Sequence, residues 1–562
     1  MSVALERSRA AVQPAPAPCA RSGLAAEPME NAQASFRRWL LPAGAAAIAA
    51  IAGLVLGPIG RDDSHLGRAV LAALAVLLLA LRAAVPAQLR RGCHAALVAL
   101  AVTGWLNYYQ FDARVVGGIN DYTDVAYYYT NSKYLDELGY DGLYAGMLLC
   151  DDERGAPRTR HIATIRDLRN DQLIRTAEGV LHGRVLKRSF TPERWDAFCH
   201  DSVFFLDRIG KKSLAENFFV DHGYNPPPTW TLFGGNLAAR VAVEQVVWVC
   251  RVDMLLIAAM LGVIGWAFGT EVGLWASLFY AVTFSGRWPI LGMAILRFDW
   301  VAALAVGYAL YYRQRLGTAA AMMAFAAWNR VFPAIFFWGW LVDAVRATAR
   351  EGRIPRPHLR FVAVATLVSA LMVGGAALQY GPQTLADSAH HLRLHNQSFS
   401  SHRVGLAAVM VYRGETTREE INQHGGMSLK ERQVQAMMPW LRGLAVLLLA
   451  FIAAYGWKTG KPGYELIPLL VLPLYCATTP QVNYYNFRVL LVCWHGLHLD
   501  RRSHRWMLAL LFVVEVVAQT SHVAGLDRYT VNTWSSIVLG VYLLVLASWM
   551  GMEMKRSPIT AS

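Results

Sequence analysis

Apolar residues gather into thirteen runs along the chain: 39–58, 66–85, 93–110, 241–268, 272–286, 295–312, 317–343, 360–379, 439–456, 463–478, 484–499, 505–520 and 533–551. Most match the roughly 20 residues that a helix needs to cross a hydrocarbon core of about 30 Å. The runs are separated by short polar stretches, except at 111–240 and 380–438. This pattern predicts an all-α polytopic membrane protein. Of the 562 residues, 55% are hydrophobic and only 16% charged, against about 25% charged in an ordinary soluble domain. That composition excludes a disordered chain, a collagen, a coiled-coil rod and a string of soluble domains.

Arginine placement orients the runs. Arg37 and Arg38 precede the first, and Arg82, Arg90 and Arg91 lie between the second and third. Basic loops stay cytoplasmic. The N-terminus is therefore expected inside and the segment from Phe111 outside. The run 317–343 has Arg313 and Arg315 before it and Arg346, Arg350, Arg353, Arg356 and Arg360 after it. Both ends then belong inside, which a single crossing does not allow. A re-entrant hairpin does, bent near Asn329-Arg330-Val331-Phe332-Pro333, where proline interrupts the helical hydrogen bonds. About twelve crossings plus this hairpin result, with Lys458, Lys461, Arg501, Arg502, Arg505, Lys555 and Arg556 also inside.

The expected organisation is a disordered cytoplasmic tail (1–36), three spans (37–110), a large extracytoplasmic segment with amphipathic helices near 164–188 and 191–209 (111–240), spans with the hairpin (241–379), a second outer loop (380–438) and the C-terminal spans (439–562). The net charge is +14, yet Phe111–Ala239 holds 18 acidic and 15 basic residues. The positive excess thus sits in short loops, which argues against a nucleic-acid partner. No internal repeat is visible, unlike inverted-repeat transporters. Of seven cysteines, Cys150 and Cys199 share the first outer segment. A disulfide between them is expected in an oxidising compartment.

Several polar groups stand where apolar spans meet the outer segments. Asp121 and Asp124 are three residues apart, a spacing that puts both on one face of a helix. Either is placed to act as general base toward a hydroxyl. Tyr127 and Tyr128 follow, then the turn Leu138-Gly139-Tyr140-Asp141-Gly142-Leu143-Tyr144, then Tyr224-Asn225-Pro226-Pro227-Pro228. Arg330, at the expected hairpin tip, is a costly intramembrane charge that suits a phosphate, or else pairs with Asp253 or Asp299. Arg297 stands at the outer end of its span. Arg403 closes a loop containing His390, His391, His395, Asn396, Gln397, Ser398 and His402. That loop lacks a zinc spacing and reads as polar contacts to a sugar or phosphate group. Asn483 and Tyr484 lie in a late outer loop. No nucleotide fingerprint is present.

Together, and in this order, these segments resemble the glycosyltransferase-C superfamily, closest to the branch called family 87. The resemblance covers about residues 93–500. It rests on Asp124 with Tyr127 and Tyr128, Gly142-Leu143-Tyr144, Tyr224-Asn225-Pro226-Pro227, Asp299 where Asn is usual, Ala326-Ala327-Trp328-Asn329-Arg330 with Pro333, Asn396-Gln397-Ser398, and Thr479-Pro480 followed by Asn483 and Tyr484 in the place of a histidine. It implies transfer of mannose or another hexose or pentose from a polyprenyl-phosphate carrier to an envelope glycan or glycolipid. In that reading Asp124 is the base, with Asp121 the alternative. Arg330, Arg297 and Arg403 hold the lipid phosphate. Tyr127, Tyr128, Tyr224, His395, Asn396, Gln397, Asn483 and Tyr484 contact sugar or acceptor. No cofactor is implied, and a divalent metal is not required. The Ala- and Arg-rich composition points to a bacterial plasma membrane with the site on its outer face. The competing readings are a transporter or flippase of a lipid-linked sugar, and a polysaccharide polymerase or ligase using diphosphate-linked chains, which would favour a larger set of outer-face arginines.

Overall fold

The computed structural model describes residues 29–86, 90–119, 122–155, 158–287, 290–397 and 399–557, without the side chains of 29–40, 54, 56, 396 and 397. The chain is helical almost throughout, as apolar segments without strand alternation dictate. Among the described residues, six helices are long and apolar enough to cross a membrane: Arg61–Ala84, Val243–Phe268, Arg356–Tyr380, Gly426–Thr459, Arg502–Val523 and Arg528–Arg556. Other expected spans are shorter or broken helices, such as Thr270–Val282, Asp299–Tyr312 and the interrupted stretch Gly463–Ala477. The described residues between Val282 and Asp299 are irregular yet buried. The first helix begins at Met29, inside the expected tail, and residues 1–28 lie outside the described residues.

The run 317–343 breaks where its sequence says it should. Leu316–Asn329 ends, Arg330 adopts extended backbone, and Pro333 starts a 3-10 turn leading into Phe337–Glu351. Tyr311 Oη, just before the first of these helices, donates to Asp343 midway along the second at 2.9 Å. The arms do not pack on each other as a tight hairpin would. The first lies against Asp299–Tyr312 and Arg356–Tyr380, the second against Gly426–Thr459 and Gly463–Leu466. Trp340 of the second arm stacks on Phe361, centroids 4.5 Å apart.

The segment 111–240 forms its own core around Tyr127, Tyr134, Leu148, Phe198, Phe205 and Phe218. Helices Leu143–Glu153 and Pro192–Arg208 are joined by the Cys150–Cys199 disulfide. The helix expected over 164–188 is corrected: Thr164–Asp167 and Gln172–Arg175 form an antiparallel hairpin, and the helix begins at Thr176. The cause lies in the turn, where Asp171 takes a positive φ of 63° and Asn170 accepts from the Gln172 amide, 3.0 Å. Asx turns of this kind compete with helix.

The segment 380–438 opens, after a break at Gly381 (φ 80°), with the separate helix Pro382–Gln397 and carries a small core around Phe399, Ile421 and Tyr529. Its last part, from Gly426, belongs to the same 34-residue helix as the span that follows. A strand-like zipper ties residues 402–404 to 480–482: Val404 N–H donates to Pro480 and Val482 N–H to His402, at 3.1 and 2.8 Å. Gly405 makes this approach feasible. Its φ is 139°, and a Cβ there would meet the carbonyl oxygens of Thr478 and Tyr475 at 3.0 and 3.1 Å.

Candidate functional site

One cavity of about 470 Å³ brings distant segments together. Its walls carry Asp124, Tyr127 and Tyr128 from segment 111–240, Arg297 from before the Asp299 helix, His395 and His402 from segment 380–438, and Asn483 from the late loop. Every one of these residues lies in a stretch that the arginine count places on the outside. Residues hundreds of positions apart thus converge on one chamber.

Asp124 and Arg297 face each other across it. Arg297 Nε lies 3.5 Å from an Asp124 carboxylate oxygen. Arg297 is 7% exposed and is held by its backbone as much as by its side chain. Leu296 before it takes φ of 43°, a costly conformation for a γ-branched residue. Buried Asp253 fixes that turn by accepting from the Arg297 and Phe298 amides at 2.7 and 3.2 Å, and Trp230 Nε1 donates to the Leu296 carbonyl at 3.2 Å. The Tyr128 ring lies under two guanidiniums, 4.8 Å from Arg297 and 5.9 Å from Arg330.

Arg330 sits behind this pair. It is 6% exposed, donates to Tyr128 Oη at 3.3 Å and to the Asn329 carbonyl at 2.8 Å, and has no ion pair among the described residues. The acid expected as its structural partner is engaged differently. Asp299 accepts from Asn329 Nδ2 at 2.9 Å and from the Trp300 amide at 2.6 Å. It thereby fixes the helix end from which Arg330 projects. Asp253 likewise serves the Arg297 turn. Arg330 forms no contact pair with either acid, though its charge acts on both carboxylates.

Local backbone explains the aromatic contributions. Tyr122–Ala126 passes into a π-helical turn, Tyr127–Asn131, of the kind often found at functional sites. Tyr127 stacks on Phe218 at 4.7 Å and donates to the Phe218 carbonyl at 2.7 Å. His395 packs edge-on to His222 at 5.3 Å. Burial, reinforced by Arg403, pushes the His395 ring well below the usual imidazole range, so it is neutral.

Not every expected residue reaches the cavity wall. Tyr224 is fully buried and shares a hydrogen bond with Thr231 at 2.7 Å, so it supports the wall. Arg403 turns to carbonyls, donating to Thr479 and His395 at 2.8 and 3.1 Å, and ties the zipper to the His395 helix. Arg403 is not among the residues lining the cavity. Tyr484 packs against Trp300 and Phe332 at 5.9 and 5.4 Å, with its ring 6.0 Å from Arg297. Asp121 lies outside the described residues, as do the side chains of Asn396 and Gln397; their backbone ends the helix Pro382–Gln397. Among the described residues, no three His, Cys, Asp or Glu side chains converge as a metal site would.

The cavity also holds Asp221, His222 and Gln481, from polar segments that the sequence marks beside Tyr224 and Asn483, and three arginines that sequence reading did not single out: Arg61, Arg287 and Arg528. Burial raises the Asp221 carboxyl above its ordinary range. The three arginines sit at the ends of three elements, and in sequence each reads as an ordinary loop charge. No protein-family model, curated protein or solved structure matches this chain.

Proposed function

We propose that this protein is a membrane glycosyltransferase that moves a sugar from a polyprenyl-phosphate carrier to an envelope glycan or glycolipid acceptor. The observation that carries the reading is the Asp124–Arg297 pair on the cavity wall, with Arg330 buried behind Tyr128. A carboxylate, two buried guanidiniums and aromatic faces are what acid–base chemistry beside a phosphate leaving group needs. The membrane arrangement belongs to the same proposal: about twelve crossings, with 316–351 entering and leaving on the cytoplasmic side, both termini cytoplasmic, and the cavity on the outer face of a bacterial plasma membrane.

The chemistry follows from charge. In the resting protein Arg297 pairs with Asp124. A bound donor phosphate competes for Arg297, draws it away and frees the carboxylate. Asp124 then takes the proton of the acceptor hydroxyl as that oxygen bonds to the anomeric carbon. The bond from the anomeric carbon to the phosphate oxygen breaks, and its electron pair leaves with polyprenyl phosphate. Arg297 and Arg330 stabilise the extra charge in a low-dielectric site, where such stabilisation is largest. The donor is already activated, so the scheme needs no cofactor.

Purified protein in nanodiscs, given short-chain polyprenyl-phosphate sugars and an envelope lipid extract, should release polyprenyl phosphate, detected by mass spectrometry. Release should need both acceptor and Asp124. Unchanged release by the Asp124→Asn protein would remove the catalytic assignment. Transport of an intact lipid-linked sugar without any release would favour a flippase.

A further inference from the structure

The basic residues on the rest of the cavity wall have no part in that scheme. Arg287 stands at the end of the 3-10 turn Phe284–Arg287. It is 7% exposed, lies over the Phe284 ring at 4.2 Å and contacts His522 at 3.3 Å. Its Nε has no hydrogen-bond partner, and none of its nitrogens meets a carboxylate among the described residues. Burial and the neighbouring charges of Arg528, Arg61 and Arg68 push its guanidinium down to about 9. The charges that act most on Arg287 are thus all cationic. Arg528 donates to His402 at 3.0 Å, and the closest acid in sequence, Asp527, caps its own helix at the Tyr529 amide, 2.8 Å away.

The arrangement is rigid. Glu515, paired with Arg488 at 2.7 Å, accepts from the Phe284 amide at 2.6 Å. Tyr108 clamps the same loop, donating to the Gly286 carbonyl and accepting from the Leu291 amide, both at 2.8 Å. Arg61 opens the helix Arg61–Ala84, whose first turn also carries Asp62 and Asp63. A buried guanidinium with an open donor, such as Arg287, costs stability unless an anion meets it.

We infer that Arg61, Arg287 and Arg528, with His402, form a second anion subsite that takes a phosphate or diphosphate group, distinct from the Asp124–Arg297–Arg330 centre. Arg287 sits among Arg528, Arg61 and Arg68, whereas Arg297 sits beside Asp124, Tyr128 and Tyr484. Both groups line one cavity, so a single substrate pair can reach both. Guanidiniums suit phosphate oxygens by their paired donors. The phosphate comes either from a phosphorylated acceptor or from the second phosphate of a diphosphate-linked carrier. The subsite itself does not depend on the transferase reading.

The test is binding of inorganic pyrophosphate to the full-length protein in neutral phosphatidylcholine nanodiscs, by calorimetry. Arg297→Gln/Arg330→Gln protein should still bind it, and so should Asp124→Asn protein, whether or not either transfers sugar. Arg287→Gln/Arg528→Gln should weaken this binding roughly ten- to hundred-fold, and Arg528→Gln alone, at an exposed position that leaves folding undisturbed, by a smaller factor. Displacement by a short-chain prenyl diphosphate, with prenyl monophosphate ineffective, assigns the subsite to the carrier. Displacement by a sugar phosphate, with both prenyl lipids ineffective, assigns it to the acceptor. Pyrophosphate binding unchanged in Arg287→Gln/Arg528→Gln and in Arg528→Gln would overturn the subsite.

Discussion

Single residues carry the chemistry, and their neighbours decide what each can do. Asp124→Asn should lower sugar transfer by roughly a hundred- to ten-thousand-fold, the usual contribution of a general base, while donor binding persists. Arg297→Lys keeps the charge but loses the paired donors, so it should impair turnover more than a simple charge count implies. Asp253 tests the support beneath them. Removing its carboxylate by Asp253→Ala leaves two buried amides without an acceptor, which costs about 1–3 kcal/mol per group. Thermal unfolding should move down accordingly, and a substitution that leaves the midpoint unchanged would show the Leu296 turn to be self-supporting. Histidines add a pH dependence. Burial and Arg528 press His402 down to about 3, so the folded state keeps it neutral while an unfolded chain protonates near 6.5. The unfolded state then binds more protons, and stability falls as pH drops from about 6.5 toward 3. A melting midpoint that decreases between pH 7 and 5, and less steeply in His402→Gln, is the expected record.

At the scale of elements, the disulfide and the zipper do the positioning. Cys150 and Cys199 close a loop with a sequence separation of 49, and losing such a link costs about 2–4 kcal/mol. Cys199→Ser should loosen the outer core, lowering the melting midpoint before it alters chemistry. Much of this level was legible in the sequence. The break at Asn329–Pro333 showed because proline and a charge interrupt an apolar run, and Asp124 and Arg297 showed because polar groups at a membrane edge are rare. The hairpin at 164–175 was hidden because its local apolar spacing also fits a helix, and the Asn170-Asp171 turn decides between them. Arg61, Arg287 and Arg528 were hidden for another reason. Each reads as a solvated loop charge until tertiary packing brings three distant helix ends together. Arg403 reads as a phosphate ligand from its neighbours in sequence, yet it does not line the cavity and donates to backbone carbonyls.

Across the whole molecule, Arg61, Arg287, Arg297 and Arg528 line the cavity, while a second end of the chain carries Arg346–Asp343 and Lys461–Glu465. If that second end is cytoplasmic, cysteines introduced at exposed Lys212 and Arg353 should differ in intact cells: Lys212→Cys should react with a membrane-impermeant maleimide and Arg353→Cys should not. Equal labelling at both would break the proposed topology. Sugar transfer in the chamber lined by Asp124 and Arg297 is the central proposal, and it is tested most directly by polyprenyl-phosphate release in nanodiscs. Wild-type protein should release polyprenyl phosphate only when both a polyprenyl-phosphate sugar and an envelope acceptor are present, and Asp124→Asn should not. Release by Asp124→Asn at the wild-type rate, or none by folded wild-type protein with any such donor, would contradict it.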